Sequence, residues 1–180
     1  MLKSILVVTL LVSSVPEAEQ AYERELGYRT VDEGRIAPEL AGHWQAPATE
    51  GRAFVLMQPE SGESVYLRFV ESDAPGNYAP MKTQGWNAVE LQATDPDTLV
   101  TELDANRFEL IGPPKFLTEQ ENIRAAQVLG PHRELLYFTH VLDPALSRFR
   151  IGTARTRVDR VFIMVLGTTD LGATTTFYQD

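Results

Sequence analysis

The sequence predicts an α+β fold built from repeats of a strand–helix–strand unit. Apolar strand segments that begin at Val7, Trp86 and Val161 are each followed by the signals of a helix. The spacing of the first two copies leaves room for one helix and four strands in each, which is a βαβββ module. Repetition along a chain constrains a fold more than a single motif does. We therefore expect two βαβββ modules, followed by the start of a third, incomplete module.

The first helix has the clearest signals in the chain. An apolar strand segment reaches Val12, and Ser14 then stands where an N-cap is expected, with Pro16 in the first turn. Gly27 follows the last apolar residue, where a left-handed C-cap residue is common. The helix would bury one face, formed by four apolar residues at helical spacing: Val15, Ala18, Tyr22 and Leu26.

Apolar runs bounded by turn residues predict the other strands of the first module. An irregular segment at 37–48, which carries His43 and Trp44, separates two of them. The predicted strands are 28–31, 53–57 and 65–70.

The second module repeats this order. Its helix begins at Asp95-Pro96, and Gly112-Pro113-Pro114 is expected to end a strand that starts at Phe108. The remaining strands are predicted at 86–93, 123–129 and 135–139. The whole chain then divides into a first module at 1–73, a connector at 74–84, a second module at 85–143, a linker at 144–157 and the start of a third module at 158–180.

Composition excludes several classes of partner and site. The formal net charge is −9, and binding to nucleic acid needs a basic surface, so nucleic acid is not expected as a partner. The chain has no cysteine, which excludes disulfides, thiolate metal sites and cysteine nucleophiles.

The apolar residues near the N-terminus resemble a secretory signal, but a strand that leads into a capped helix explains them better. No apolar run approaches the roughly 18 residues that a membrane span needs. We therefore predict a cytoplasmic protein that does not interact with membranes.

The repeated module and its helix motif resemble the vicinal oxygen chelate superfamily. The motif is Ala21-Tyr22 with Leu26-Gly27, and it returns as Phe177-Tyr178 in the third unit. The superfamily includes glyoxalase I, extradiol dioxygenases, fosfomycin-resistance enzymes and bleomycin-binding proteins. The resemblance implies that the two modules pair into an incomplete barrel around a cleft, and that a divalent metal is held there by His, Gln or Glu.

This chain departs from the superfamily at the metal positions. The resemblance places those positions at Val7, near 66–68, at Trp86 and near Tyr137. None of these residues is a usual ligand of a divalent ion. We therefore expect no metal and no other cofactor.

Strand alternation sorts the residues that would line the cleft. Where apolar residues alternate with other types, the apolar set faces the helices and the other set faces inward. Seven inward residues are candidates for the site. Two are assigned catalytic roles, Arg68 and Glu90, and five are assigned to substrate binding: Thr9, Tyr66, Trp86, Gln92 and Tyr137.

Arg68 and Glu90 are the charged residues of this set. An unpaired charge removed from water costs several kcal/mol. Three explanations therefore remain open: the two side chains form a structural pair, the cleft is hydrated, or Arg68 binds an anionic ligand. In the last case Glu90 would be a general base that removes a proton next to a carbonyl. The aromatic residues would then stack on a ring of the substrate, or they would only fill the core.

Three functions are compatible with these residues. The first is a metal-independent lyase or isomerase that binds and transforms a small oxygenated or aromatic compound. The second is a module that binds a small molecule without turnover. The third is the inert N-terminal part of a longer, four-module protein similar to dioxygenases. The incomplete third module also raises the expectation that it docks on another chain, as in a homodimer.

Overall fold

A computed structural model describes residues 4–73, 79–117, 119, 121–146 and 152–179. The first module contains β1 (Val7–Val12), α1 (Val15–Leu26), β2 (Tyr28–Arg35), α2 (Pro38–His43), β3 (Ala53–Pro59) and β4 (Tyr66–Glu71). The second module contains β5 (Gly85–Ala93), α3 (Pro96–Glu102), β6 (Glu109–Phe116), β7 (Ile123–Leu129) and β8 (Leu135–Val141). The last two elements are β9 (Val158–Gly167) and α4 (Leu171–Gln179).

The two modules have the same topology. The first sheet has the strand order β1-β4-β3-β2, and the second has the order β6-β7-β8-β5-β9. In each module the first strand pairs in parallel with the last, and the other pairs are antiparallel. Both sheets are open, and helices pack on them. The predicted α+β class and the repeated βαβββ module are confirmed. Parts of the predicted connector and linker, at 74–78 and 147–151, lie outside the described residues.

Local sequence determines where α1 begins and ends. The Ser14 hydroxyl accepts a hydrogen bond from the Glu17 amide at 3.3 Å, and Gly27 adopts the left-handed conformation with φ of 69°. Tyr22 and Leu26 lie on the inner face of this helix and are fully buried. Burial of such a side chain contributes about 1.5–3 kcal/mol relative to exposure, so the amphipathic face attaches α1 firmly to the sheet.

One hydrophobic core joins both modules. It includes Leu67 and Phe69 from β4, Leu91 from β5, and Leu136 and Phe138 from β8. Because side chains alternate along a strand, the residues between them lie on the opposite face of each sheet. We call these the open faces of the first and second sheets.

The segment predicted to be irregular forms the short helix α2 and covers part of the first open face. Ala41 of α2 and Ile36, which precedes the segment, pack in a small buried cluster with Val70 of β4. Trp44 and Phe54 border this cluster. The segment is thus a packed cover on the sheet.

The prediction that Gly112-Pro113-Pro114 ends a strand is wrong, since β6 continues to Phe116. The register of β6 against β7 shifts on both sides of Gly112, which indicates bulges. β6 is an edge strand, and proline is tolerated at an edge because its missing N–H removes no ladder bond there.

The third unit is incorporated into the second sheet. The sequence suggested a strand without partners, but β9 pairs antiparallel with β5. Asp159 at its start is fully buried, its carboxylate accepts a hydrogen bond from Ser61, and its carbonyl accepts one from Tyr28. β9 therefore joins both modules. α4 remains on the surface, with Leu171 and Phe177 about three-quarters exposed (75% and 76%). No helix of the described ranges is long and apolar enough to cross a membrane.

Candidate functional site

A groove lies between β1, an edge strand of the first sheet, and β9, an edge strand of the second. Its volume is about 770 Å³, and its lining is mainly apolar. Consecutive residues of each strand form the two walls, including Thr9 on one side and Ile163 on the other. Trp86 of β5 also lines the groove. Of the seven candidate site residues, this groove brings together Thr9 and Trp86.

Of the two aromatic residues that line the groove, Phe162 and Trp86, Trp86 is the more exposed. Its side chain is 55% exposed although it lies at the start of a strand of the second sheet. The preceding Gly85 has φ of 103°, a conformation that side-chain-bearing residues rarely adopt, and this glycine begins the strand. The ring centroid of Trp86 lies 6.1 Å from that of Tyr178 in α4. The third unit thus supports Trp86 from the side while leaving much of the indole accessible.

Arg68 lies one strand away from the groove on the first open face. It is the register partner of Thr9, which lines the groove. Its guanidinium carbon lies over the ring of Trp44, 5.2 Å from the centroid, and 6.0 Å from the centroid of Phe54. Partial burial lowers the pKa of Arg68, and the carboxylate of Asp32 acts in the opposite direction. The group is a partly desolvated cation held by two aromatic rings.

Glu90 lies one strand away from the groove on the second open face. It is the register partner of Ile163, which lines the groove. Its side chain is buried, with 9% of its surface exposed, and Thr139 donates a hydrogen bond of 2.7 Å to Oε1. Burial raises the pKa of Glu90, while the Thr139 hydrogen bond lowers it in part. A carboxyl with a raised pKa is suited to proton transfer near neutral pH.

The structure does not pair Arg68 with Glu90. No ion pair of the described residues includes either side chain. Arg68 contacts aromatic rings on the first sheet, whereas Glu90 contacts a hydroxyl on the second. The hypothesis of a structural ion pair therefore finds no support, and each charge lies on its own side of the groove.

The other three candidates lie on the open faces without lining the groove. Tyr66 is half-buried on β4, beside Val7 of β1. Gln92 is buried, and its amide donates a hydrogen bond to the carbonyl of Gly152 in the segment that precedes β9. Tyr137 packs in a small apolar cluster, and its hydroxyl accepts a hydrogen bond from Gln127. In this structure the Gln92 side-chain NH2 and the Tyr137 hydroxyl are hydrogen-bonded within the protein.

Three residues of this region were not among the seven candidates: Phe54, Trp44 and Ile163. Phe54 lies on the same face as Arg68, and strand alternation along β3 could have identified it. Trp44 follows α2, and its contact with Arg68 depends on how a connecting segment folds back on the sheet. Ile163 could not be placed either, because β9 had no predicted partner.

The residues present do not fit the divalent metal that the superfamily resemblance implies. The side chains at the implied positions on the open faces belong to Val7, Tyr66, Arg68, Trp86 and Tyr137, which offer no set of oxygen and nitrogen ligands. In the part of the chain that the structure describes, no group of three or more His, Asp or Glu side chains could hold an ion.

No protein-family model and no curated protein matches the sequence. Solved structures do match the fold. A glyoxalase family protein from Bacillus cereus is 19% identical, with a TM-score of 0.59 over 79% of this chain and 97% of that chain.

Two further structures agree with that match. A member of the glyoxalase/bleomycin resistance protein/dioxygenase superfamily from Sphaerobacter thermophilus is 17% identical, with a TM-score of 0.54 over 77% of this chain and 97% of that chain. Glyoxalase I from Zea mays is 13% identical, with a TM-score of 0.56 over 78% of this chain and 45% of that chain. The chain therefore has the vicinal oxygen chelate fold, the fold of the glyoxalase, bleomycin-resistance and dioxygenase proteins.

Proposed function

We propose that the groove between β1 and β9 binds a small, ring-containing compound. The observation that carries this proposal is the exposed indole of Trp86 in the wall of a mainly apolar cavity. Ligand sites are typically concave and apolar, with few polar groups that orient the ligand. A large aromatic side chain that stays exposed in such a cavity offers a surface on which a ring can stack. Thr9 supplies a hydroxyl in the opposite wall.

Calorimetry with aromatic acids, amides and aldehydes tests this proposal. Trp86→Ala should weaken binding of a ring-containing compound by about tenfold or more. The variant loses the apolar burial of the ligand against the indole, and it also loses the ring–ring contact, which contributes on the order of 1 kcal/mol beyond that burial. Leu110→Ala is a suitable control, since Leu110 is also an exposed apolar residue of an edge region but lies outside the groove. Equal affinity in the Trp86→Ala variant would remove the groove from consideration.

Glu90 supports a second candidate function, metal-independent acid–base catalysis of an isomerase or lyase type. In this reaction the Glu90 carboxylate takes a proton from the carbon next to a carbonyl. The electron pair of the C–H bond forms a C=C bond, the π pair of the carbonyl moves onto its oxygen, and Arg68 stabilises the negative charge that forms there. In a β,γ-unsaturated carbonyl compound, return of the proton to the γ-carbon and re-formation of the C=O bond complete an isomerisation. The support is the buried carboxyl with a raised pKa beside the groove wall.

The binding-only function and the catalytic function differ in one measurement. If Glu90 acts as a base, a bound carbonyl compound exchanges its adjacent protons with deuterated water, which NMR detects without knowledge of the final product. Glu90→Gln should abolish this exchange and leave binding intact. Binding without exchange by any bound carbonyl compound supports the module that holds a small molecule without turnover.

Self-association through the third unit and membership of a longer protein stay predictions. The exposed apolar residues of α4, Leu171 and Phe177, motivate the first of them. Sedimentation equilibrium over a range of protein concentrations tests self-association. A monomer at all concentrations would contradict it.

A further inference from the structure

We propose that the ligand of the groove carries a carboxylate, which Arg68 binds while the ring of the ligand lies against Trp86. This inference rests on the proposed small-molecule function and assigns the chemical class of the ligand. Three observations carry it: the guanidinium has no carboxylate within 4 Å among the described residues, two rings fix its position, and its register partner lies in the groove wall.

The guanidinium of Arg68 is a partly desolvated cation. Among the described residues no carboxylate lies within 4 Å of it, and none accepts a hydrogen bond from its nitrogens. Asp32 influences it only at longer range. An arginine presents five N–H donors in a planar fork that matches a carboxylate. A cation removed from part of its water and left without an anion is available to an anionic ligand.

Trp44 and Phe54 are the positioning residues of this cation. They come from different elements, the end of α2 and strand β3, so two independent packing contacts hold the same group. A guanidinium that lies over an aromatic face keeps its in-plane N–H donors free for hydrogen bonding. Because the side chain is already held, less conformational entropy is lost when an anion binds.

The strand register connects Arg68 with the groove. Thr9 and Arg68 are partners in the parallel pair of β1 and β4, so their side chains share a face on strands roughly 5 Å apart. Thr9 also lines the groove. A ligand whose ring contacts Trp86 can therefore extend its carboxylate past Thr9 to Arg68. The net charge of −9 disfavours anions elsewhere on the surface, which makes binding of a carboxylate dependent on a local cation.

Matched pairs of ligands test the inference. We would measure binding of 4-phenylbutanoate and its neutral analogue 4-phenylbutanamide, and of 6-phenylhexanoate and its amide, whose chains separate the carboxylate from the ring, by calorimetry at neutral pH. Native protein should prefer the carboxylate to the amide by roughly tenfold or more, as expected for a charge-assisted contact. Arg68→Met should remove this preference and leave the affinity for the amide unchanged. Arg133→Met, which alters an exposed arginine of the turn between β7 and β8, should leave the preference unchanged.

The positioning residues have a separate readout. Trp44→Leu and Phe54→Leu should each reduce the preference for the carboxylate severalfold while the amide binds as before. If these residues had only a structural role, the variants would lower the affinity for both ligands of a pair by the same factor. If Arg68→Met does not fold, Arg68→Lys retains the charge without the planar fork and should reduce the preference in part.

The outcomes separate the two proposals. If neither ligand of any pair binds, the proposed function fails and this inference fails with it. If carboxylate and amide bind equally, the groove retains its function and the carboxylate assignment is overturned. A preference that persists in Arg68→Met also overturns the assignment, because the anion is then recognised elsewhere.

Discussion

The hydroxyl of Tyr22 donates a hydrogen bond of 3.0 Å to Oε1 of Glu134. Tyr22 lies on α1, and Glu134 directly precedes β8, so this bond joins the first module to the second. The second carboxylate oxygen of Glu134 accepts a bond of 2.8 Å from the amide of His132. Both oxygens are therefore satisfied within the buried module interface. The bond makes the interface sensitive to the ionisation of Glu134.

Glu134→Gln should flatten the dependence of stability on pH. Burial raises the pKa of Glu134 in spite of the hydrogen bonds that lower it. An acid with a folded-state pKa above its unfolded value contributes stability below the unfolded pKa and loses it as pH rises through the folded pKa. In the Gln variant the side-chain oxygen can accept from the His132 amide and the side-chain NH2 can donate to the Tyr22 hydroxyl, which reverses the direction of that bond, and the side chain does not ionise. Urea unfolding from pH 4 to pH 8 measures the difference.

Tyr22→Phe is the matched control for the Glu134 prediction. It removes the donor and leaves the carboxyl buried, which should cost about 1–3 kcal/mol near neutral pH. If Glu134→Gln showed the same slope of stability against pH as the native chain, Glu134 would not be the group that titrates.

His132 should give a dependence on pH of the opposite sign. Its Nδ1 lies 3.0 Å from the Ser13 hydroxyl, and its Nε2 is buried with no partner among the described residues. Burial lowers the pKa of His132, although Glu17 acts in the opposite direction. A base with a depressed folded-state pKa contributes stability above its unfolded pKa of about 6.5, and this stability is lost as pH falls through the folded pKa. His132→Gln should reduce the loss of stability on acidification below that value.

Unfolding curves at closely spaced pH values between 7 and 5 test the His132 prediction. Glu17→Gln removes the charge that favours protonated His132, so it should increase the loss of stability on acidification. A difference in stability between the native chain and His132→Gln that stayed constant through this range would contradict the assignment.

Local patterns predicted the strand faces, because side-chain alternation depends only on neighbouring residues. Leu67 and Phe69 enter the core as expected, and Tyr66 and Arg68 lie on the open face. Long-range pairing was not available from the same patterns. The parallel register that brings Thr139 to Glu90 follows from joining two strands far apart in sequence.

The groove itself shows the same limit. Its wall at Ile163 exists only because β9 pairs with β5, and no local signal specifies that choice of partner. The Trp44 contact with Arg68 depends on a connecting segment that folds back onto the sheet. The edge position of β6, which tolerates two prolines, also depends on the complete sheet order. Sequence therefore predicted which faces carry the candidates but not which candidates meet.

Asp159→Ala should detach the start of β9 and destabilise the protein by about 3 kcal/mol or more. The buried carboxylate accepts hydrogen bonds from the Ser61 hydroxyl and from the amides of Arg155 and Arg160. Bonds to a charged group contribute about 1.5–3 kcal/mol each, and the variant leaves all three donors unsatisfied. Urea unfolding measures the loss. Ser61→Ala removes one donor and should lower the free energy of unfolding by about 1 kcal/mol. An equal or smaller decrease for Asp159→Ala would show that the Asp159 carboxylate does not hold the start of β9 in place.

Thr139→Val should move the pH dependence of any Glu90-catalysed proton exchange to higher pH. The Thr139 hydroxyl donates to Glu90 and lowers its pKa, while burial raises it. Valine has a similar shape but no donor, so the variant should raise the pKa of Glu90 further. A general base acts when ionised, so the rate of exchange should increase as pH rises through the Glu90 pKa. In the variant this increase should occur at higher pH.

Stability provides a check on this Glu90 prediction that does not need a substrate. Because the folded-state pKa of Glu90 is raised, the native chain loses stability as pH rises through that pKa, and Glu90→Gln should not show this loss. Thr139→Val should show it at higher pH than the native chain does. Proton exchange followed by NMR, together with urea unfolding of the same proteins, compares the two transitions. If the transition in exchange did not move with the transition in stability, Glu90 would not be the base.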